Sequence, residues 1–168
     1  MTQKEKTRQI SFIQAINEAL RQELERDPNV IVMGEDIGGG GEREDFQDAW
    51  GGPMRLTKGL VNDFGRERIR DTPISETGFM GAGVGAAATG LRPVIDLMYV
   101  SFFGVCADQI LNNAAKMHYM FGGKVTVPMT IMTAIGAGTG NAAQHSETLY
   151  SIFTHFPGLK CAQIIRKY

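Results

Sequence analysis

The sequence predicts an α/β fold, a doubly wound and mostly parallel sheet with helices on both faces. Continuous apolar segments such as residues 30–33 are typical of strands that are covered on both faces. These segments alternate with longer stretches that carry apolar residues at helical spacing, a pattern that favours a doubly wound sheet. Clusters of glycine at 38–41, 78–90 and 136–140 lie between the apolar segments and indicate loops and close backbone contacts.

The first two elements are a helix and a buried strand. Ser11 is a suitable N-cap for a helix that runs to about Arg26 and ends before Pro28. The apolar strand then delivers Gly34-Glu35-Asp36 to the carboxyl end of the sheet, where open α/β sheets place their functional residues. The acids at this position have two interpretations, a functional role or a solvated turn.

A glycine-rich loop and a short helix follow the strand. Residues 37–55 have no periodicity, and a structureless loop longer than about 12–15 residues is usually functional or disordered. Trp50 indicates either a segment that becomes ordered against a partner or substrate, or a mobile loop. Residues 57–64 are expected to form a short helix that ends at Gly65.

Residues 71–98 are the most informative stretch, because they combine a strand end, the carboxylate of Glu76, a helix of small residues and a second strand. Glycine costs a helix roughly 1 kcal/mol relative to alanine. Five glycines in the thirteen positions 78–90 therefore predict that another backbone or a ligand lies close to this helix. Glu76 is either a reactive acid at the strand-to-helix junction or a first-turn acid that interacts with the helix dipole.

The second half of the chain is predicted to contain two further strands, at residues 94–100 and 127–133. Pro93 is expected at the start of the first of these strands, where proline is tolerated. A long helix begins after this strand and ends at Gly122-Gly123, and a last helix covers residues 147–156. The predicted apolar face of the long helix comprises Phe102, Cys106, Ile110, Ala114, Met117 and Phe121.

Composition and charge restrict the class of protein. The chain has 168 residues, of which 43% are hydrophobic and 21% charged, as in an ordinary globular domain. The formal net charge of −1 disfavours nucleic acid and anionic membranes as partners. No apolar run reaches the ~18 residues of a membrane span, and the N-terminus lacks the apolar core of a signal peptide. We therefore expect a cytoplasmic protein.

Motifs for several other chemistries are weak or absent. Cys106 and Cys161 both lie in apolar sequence without a CxxC pattern, so we expect buried, reduced thiols rather than a disulfide. No GxxxxGK[ST] or HExxH pattern occurs, and no metal site is predicted. Gly81-x-Gly83-x-x-Ala86 loosely matches a nicotinamide-dinucleotide fingerprint, but its first glycine lies a turn inside the predicted helix.

Several separated motifs resemble the β subunits of thiamine-diphosphate-dependent 2-oxoacid dehydrogenases, the E1 components. The resemblance extends from about Ile10 to Leu159 and includes ISETGFMGAGVGAAATGLRPV at 74–94. AWGGP at 49–53 and GVCADQILN at 104–112 are most similar to the acetoin dehydrogenase branch. Further matching segments are GED at 34–36, TKGL at 57–60, FGRERIRDTPISE at 64–76, DQILNNAAKMHYMFGG at 108–123 and AAQHS at 142–146.

The resemblance implies a transketolase-like pyrimidine-binding domain that covers residues 1–168. It implies that Glu76 activates thiamine diphosphate by sharing a proton with N1′ of the pyrimidine, which requires a carboxyl group with apolar neighbours. It further implies that Ile74, Met98 and Phe102 contact the pyrimidine, with Phe102 as the stacking aromatic residue. Without the resemblance, periodicity favours plain core packing for Met98 and Phe102.

The resemblance also gives His145 a role, because the matching histidine lines the substrate channel and helps the acyl group pass to the lipoyl arm. An imidazole can transfer a proton near pH 7, as this role requires. The residues alone leave open a surface histidine without a role. His118 and His155 lack a comparable setting and are predicted to be structural.

The partners follow from what the chain lacks. It has no GDG motif, so the resemblance implies that an E1 α subunit holds Mg²⁺ and the diphosphate, in an α2β2 heterotetramer that serves the lipoyl domain of the E2 component. Relatives continue into a C-terminal domain, whereas this chain ends at Tyr168 and its tail CAQIIRKY departs from the family pattern after residue 160. We expect part of an E1 β subunit that cleaves acetoin or a 2-oxoacid. The alternative is a catalytically silent fragment that only associates with partner chains.

Overall fold

The structure, a computed structural model, describes residues 8–39, 51–138 and 140–164. Its four strands form one sheet in the order β2-β1-β3-β4, and every pairing is parallel. The chain passes from β1 to β2 on one side and to β3 and β4 on the other, so the strand order reverses between β1 and β3. The strands are β1 (Val30–Glu35), β2 (Ile69–Thr72), β3 (Arg92–Tyr99) and β4 (Thr130–Ala134).

The predicted start of the first helix is confirmed. The Ser11 hydroxyl oxygen accepts a hydrogen bond from the Gln14 N–H at 3.2 Å, and the Gln14 side chain accepts one from the Ser11 N–H at 2.8 Å. This reciprocal pair is a capping box, which satisfies two backbone donors at the helix start. The helices are α1 (Phe12–Arg26), α2 (Leu60–Phe64), α3 (Glu76–Ala88), α4 (Phe103–Asp108), α5 (Met117–Met120) and α6 (Tyr150–His155).

Strand β1 lies between two hydrophobic cores, because successive side chains of a strand point to opposite faces of the sheet. Val30 and Val32 pack with residues of α1 and α2 on one face. Ile31 and Met33 pack with residues of α3 and α4 on the other face. Helices therefore cover both faces of the parallel sheet, which confirms the predicted fold class.

The long helix predicted after β3 is interrupted. The chain forms a 3-10 turn (Val100–Phe102), then α4, then a π-helical turn (Gln109–Ala114), and finally α5. In the π-helical turn, the Ala115 N–H donates to the Ile110 carbonyl at 3.0 Å, which adds one residue to the helical repeat. After Ile110, the next buried residue is Ala115 rather than the predicted Ala114. Phe121 is exposed and does not belong to the buried face.

Several boundaries differ from the sequence prediction. Strand β3 begins two residues early, so Pro93 lies inside the ladder opposite Ile31 rather than at its start. Strand β4 begins later than residue 127, and α6 is shorter than the predicted helix at 147–156. Trp50 lies outside the described residues, so its predicted ordering against a partner stays a prediction.

The two cysteines have different surroundings. Cys106 is buried and Cys161 is exposed, and both are free thiols. The prediction of a buried thiol is therefore wrong for Cys161, because residues 161–164 lie on the surface without regular structure. None of the helices in the described ranges has both the length and the apolar character needed to span a lipid bilayer.

Candidate active site

The predicted site residues lie at one edge of the sheet, where the carboxyl ends of the parallel strands meet. Glu76 follows β2, and Glu35 is the last residue of β1. Met98 lies near the end of β3, and His145 follows β4. This arrangement brings together residues that are more than a hundred positions apart in the chain, from Glu35 to His145.

Glu76 is half-buried as the first residue of α3. Burial raises the pKa of Glu35, and the negative charges of Asp36 and Glu76 raise it further. Burial also raises the pKa of the Cys106 thiol to about 11, and the charge of Glu76 is the second cause. The Glu76 carboxylate therefore lies within electrostatic range of a second acid from β1 and of a buried thiol from α4.

Apolar side chains are exposed where α3 begins. Ile74 precedes Glu76 and is 76% exposed. The Thr77 hydroxyl donates a hydrogen bond to the Val105 carbonyl oxygen, which joins the first turn of α3 to α4, and Val105 is itself 60% exposed. The predicted contact of Ile74 with a pyrimidine stays a prediction, and the exposed position leaves this side chain available for it.

The end of β3 has an irregular backbone around Met98. The ladder between β3 and β4 shifts register between Asp96 and Tyr99. Met98 has a φ of 66°, which is uncommon for a residue other than glycine. Asp96 is only 5% exposed, and its carboxylate accepts a hydrogen bond from the Met98 N–H at 2.9 Å. Burial raises the pKa of Asp96, and this hydrogen bond opposes that rise. Asp96 thus stabilises the backbone that carries Met98.

Three rings form a cluster at the end of β3. The His145 ring centroid lies 4.6 Å from that of Tyr99 and 5.4 Å from that of Phe102, both in T-shaped arrangements. Tyr99 and Phe102 are 6.0 Å apart. The Cys106 thiol lies 3.6 Å from the Phe102 carbonyl oxygen, which connects this cluster to the surroundings of Glu76. The structure therefore brings Phe102 and His145, predicted from separate motifs, into one site.

The other two histidines lie in different surroundings. The His118 ring nitrogen Nδ1 is 2.8 Å from the Val125 carbonyl oxygen. The His155 ring lies 5.6 Å from that of Phe156. Both side chains are exposed, and the structural roles predicted for them stay predictions. The described part of the chain has no group of three or more His, Cys, Asp or Glu that could hold a metal ion.

Sequence reasoning missed two residues of this edge, Asp96 and Tyr99. A sequence signal existed for Asp96, because it is an acid inside an apolar strand and such a group needs a hydrogen-bond partner. Tyr99 carries no local signal, since its contact with His145 depends on the loop after β4. The dinucleotide fingerprint has no support, because Gly81 lies within α3 rather than in a turn before it.

Comparison with protein families agrees with this architecture. Residues 8–165 match the model described as the transketolase pyrimidine-binding domain. The chain belongs to this family. The predicted fold family is thereby confirmed, and the described helices and strands all lie within the matched range.

The chain is similar to dehydrogenase subunits. It is 54% identical over 155 residues to the acetoin:2,6-dichlorophenolindophenol oxidoreductase subunit beta of Bacillus subtilis. The aligned region covers 91% of this chain and 45% of that protein. The corresponding subunit of Cupriavidus necator is 54% identical over 153 residues, with the same coverage of 91% and 45%. The pyruvate dehydrogenase E1 component subunit beta-3, chloroplastic, of Arabidopsis thaliana is 42% identical over 152 residues, 90% of this chain and 35% of that protein. The predicted resemblance to E1 β subunits and to the acetoin branch is confirmed, and the chain spans less than half the length of these relatives.

Proposed function

We propose that this chain is the pyrimidine-binding part of a β subunit in a thiamine-diphosphate-dependent E1 dehydrogenase that acts on acetoin. The observation that carries the proposal is the position of Glu76, a half-buried acid that begins α3 at the carboxyl edge of the sheet, within electrostatic range of Glu35 and Cys106. The names of the relatives from B. subtilis and C. necator support acetoin as the substrate. Transfer of the acyl group to a lipoyl arm is part of the same proposal.

The residues at this edge fit the pyrimidine ring of thiamine diphosphate. A pyrimidine needs an acid beside one ring nitrogen and apolar contacts for its faces, and Glu76 is a half-buried acid at the start of a helix. Phe102 and the exposed Ile74 supply apolar surface, and Met98 lies near the end of β3 at the same edge of the sheet. When bound, thiamine diphosphate supplies a nucleophilic carbon and an electron sink for cleaving the bond beside a carbonyl group.

In this proposal, the residues of the chain act at two ends of the site, one at the pyrimidine ring and one at the substrate. Glu76 holds a proton at the pyrimidine nitrogen, and Phe102 supports the ring through its flat apolar face. His145 moves a proton at the substrate end, where its imidazole can act as acid or base near neutral pH. The distance of 5.4 Å between the ring centroids of Phe102 and His145 supports this division, because a group at one ring is within reach of the other.

The proposal assigns Mg²⁺ and the diphosphate to an E1 α subunit, since the chain has no GDG motif. The exposed Ile74 before α3, and the exposed Val105, whose carbonyl oxygen Thr77 contacts, offer apolar surface for such a subunit. An α2β2 assembly, delivery of the acyl group to the lipoyl domain of E2, and a cytoplasmic location complete the proposal.

The test is the substitution Glu76→Gln in the chain co-expressed with an acetoin dehydrogenase α subunit. Turnover is measured as acetoin-dependent reduction of 2,6-dichlorophenolindophenol with thiamine diphosphate and Mg²⁺. We expect a loss of about 10²-fold or more, because proton transfer by a positioned group contributes about 10²–10⁴-fold. Activity within a few-fold of the unsubstituted chain would reject the role of Glu76.

Glu67→Gln is the matched control, because Glu67 is exposed and precedes β2 at the opposite end of that strand. We expect its turnover to stay within twofold of the unsubstituted chain. The competing function is a silent chain that only associates with partners. Co-purification with the α subunit without any dye reduction by the unsubstituted chain would support this alternative and reject the proposal.

A further inference from the structure

We propose that Tyr99 is the positioning residue for His145. Its ring packs against the imidazole, and its hydroxyl oxygen accepts a hydrogen bond from the Asn141 side chain at 2.8 Å. The end of β3 thus fixes the segment that carries His145. This inference rests on the proposed function for the chemical role of His145, whereas the positioning itself rests on the described contacts.

The segment around His145 has little structure of its own. His145 ends a three-residue 3-10 turn (Ala143–His145) that has no side-chain cap. The His145 N–H donates to the Ala142 carbonyl over 3.4 Å, a long hydrogen bond, and Ala142 has a φ of 60°. Most of the neighbouring side chains are exposed. The Ser146 hydroxyl also donates to the Ala142 carbonyl at 2.6 Å, so local bonds hold the backbone of this turn. The imidazole ring itself, in contrast, packs against side chains of another part of the chain, Tyr99 and Phe102.

Strand β3 supplies those contacts at two points. The Tyr99 ring lies 4.6 Å from the His145 ring, closer than the 5.4 Å of Phe102. The hydrogen bond from Asn141 joins the hydroxyl group of the same tyrosine to the chain four residues before His145. Tyr99 thereby holds both the imidazole and the segment that leads to it.

This fixation has a chemical consequence. A group that transfers a proton must stay within hydrogen-bond reach of the reacting atom, and small displacements cost large factors in rate. The ring centroid of Tyr99 also lies 6.0 Å from that of Phe102. Tyr99 therefore contacts both His145 and the aromatic residue at the proposed cofactor end of the site. Loosening Tyr99 should therefore slow the step that uses His145 more than the others.

The first test uses the chain alone and measures the rate at which diethyl pyrocarbonate modifies each histidine, resolved by peptide mass spectrometry. Tyr99→Leu removes the ring and the hydroxyl group, and we expect His145 to react about fivefold faster. Tyr99→Phe keeps the ring, and we expect an increase of about twofold, since a single neutral hydrogen bond contributes modestly. His118 and His155 serve as internal references and should react at unchanged rates.

Tyr119→Leu is the matched control, because Tyr119 is 88% exposed and lies on α5. Its three histidines should react as in the unsubstituted chain. An unchanged His145 rate in Tyr99→Leu would overturn the inference. Tyr99→Leu could raise the modification rates of all three histidines through loss of the fold, and the Tyr99→Phe variant then tests the inference instead. An unchanged His145 modification rate in Tyr99→Phe would equally overturn the inference.

The second test is a double-mutant cycle in the complex with the α subunit and thiamine diphosphate. Tyr99→Phe should slow acyl transfer to lipoamide about threefold to tenfold, and should slow dye reduction less. In the His145→Ala background the same substitution should have no further effect on acyl transfer. Equal factors in both backgrounds would overturn the inference. If His145→Ala leaves acyl transfer unchanged, the proposed role of His145 fails, while the modification rates still decide whether Tyr99 positions it.

Discussion

Small residues on the two faces of α3 have different surroundings. On the inner face, Gly83 is buried, and a Cβ atom there would lie 2.7 Å from Ile95 Cδ1. On the outer face, Gly85 is exposed, and apart from its chain neighbours and the nearby backbone of α3, no atom of the described residues lies within 4 Å of a Cβ atom built on it. The core therefore requires glycine at position 83, whereas no contact within the described chain explains glycine at position 85.

The difference shows which part of α3 the chain completes by itself. The inner face belongs to the hydrophobic core beneath β3 and α4. The outer face leaves Thr77, Gly78 and Ala82 exposed along with Gly85. Glycine in an exposed helix position carries an entropic cost without a packing gain. The exposed glycines of the outer face would thus be explained if the backbone of another chain, or a ligand, packed closely against this face.

The largest effect expected from this comparison concerns Cys106, which packs in the inner core. Its pKa is raised from 9.0 to about 11, so the unfolded chain loses the thiol proton more easily than the folded chain. The stabilising contribution of the neutral thiol is complete below pH 9 and is lost as the pH rises toward 11. At 1.36 kcal/mol per pKa unit, the loss amounts to about 2–3 kcal/mol of unfolding free energy.

Urea denaturation of the chain from pH 8.5 to 11, under reducing conditions, measures this loss. Cys106→Ala should be less stable than the unsubstituted chain at pH 8.5 because it leaves a small cavity. The gap between the two should then shrink as the pH rises. Cys161→Ala is the control and should follow the unsubstituted chain, because that side chain is exposed. A gap that stays constant across this range would show that water reaches the Cys106 thiol.

Gly83→Ala is the next largest effect and tests the inner face directly. The added methyl group would displace the Ile95 side chain, which is completely buried, and we expect a loss of about 1–2 kcal/mol in unfolding free energy. Combining it with Ile95→Val removes the clashing Cδ1 atom, so the double variant should be more stable than the sum of the two single changes predicts. Strict additivity would show that the clash at Ile95 is not the cause.

Local sequence signals were sufficient where the structure depends on local contacts. The Ser11 cap, the continuous apolar strand β1 and the strand-to-helix junction at Glu76 were all predicted from neighbouring residues. The carboxyl edge could also be predicted, because parallel strands place their ends together. Motif resemblance then added His145, which no periodicity would have selected.

The features that escaped prediction depend on distant partners or on irregular backbone. The π-helical turn at Gln109–Ala114 shifts the buried face by one residue, and a 3.6-residue repeat cannot show such a shift. The left-handed Met98 arises where β3 and β4 lose register, which only the paired strands define. The Tyr99 contact with His145 joins the end of β3 to a short turn forty-six positions later and has no local pattern.

Gly85→Ala gives the smallest change and tests the outer face of α3. In the chain alone, alanine has room at this exposed helix position and lowers the entropy of the unfolded state, so urea denaturation should show a gain of about 0.5–1 kcal/mol. In the complex with the α subunit, the same methyl group opposes any backbone that approaches this face. A more stable chain with lower dye-reduction activity and weaker association would therefore indicate that Gly85 serves a partner. A more stable chain with unchanged activity would instead show that the outer face stays open, and close approach would then be confined to the inner face at Gly83.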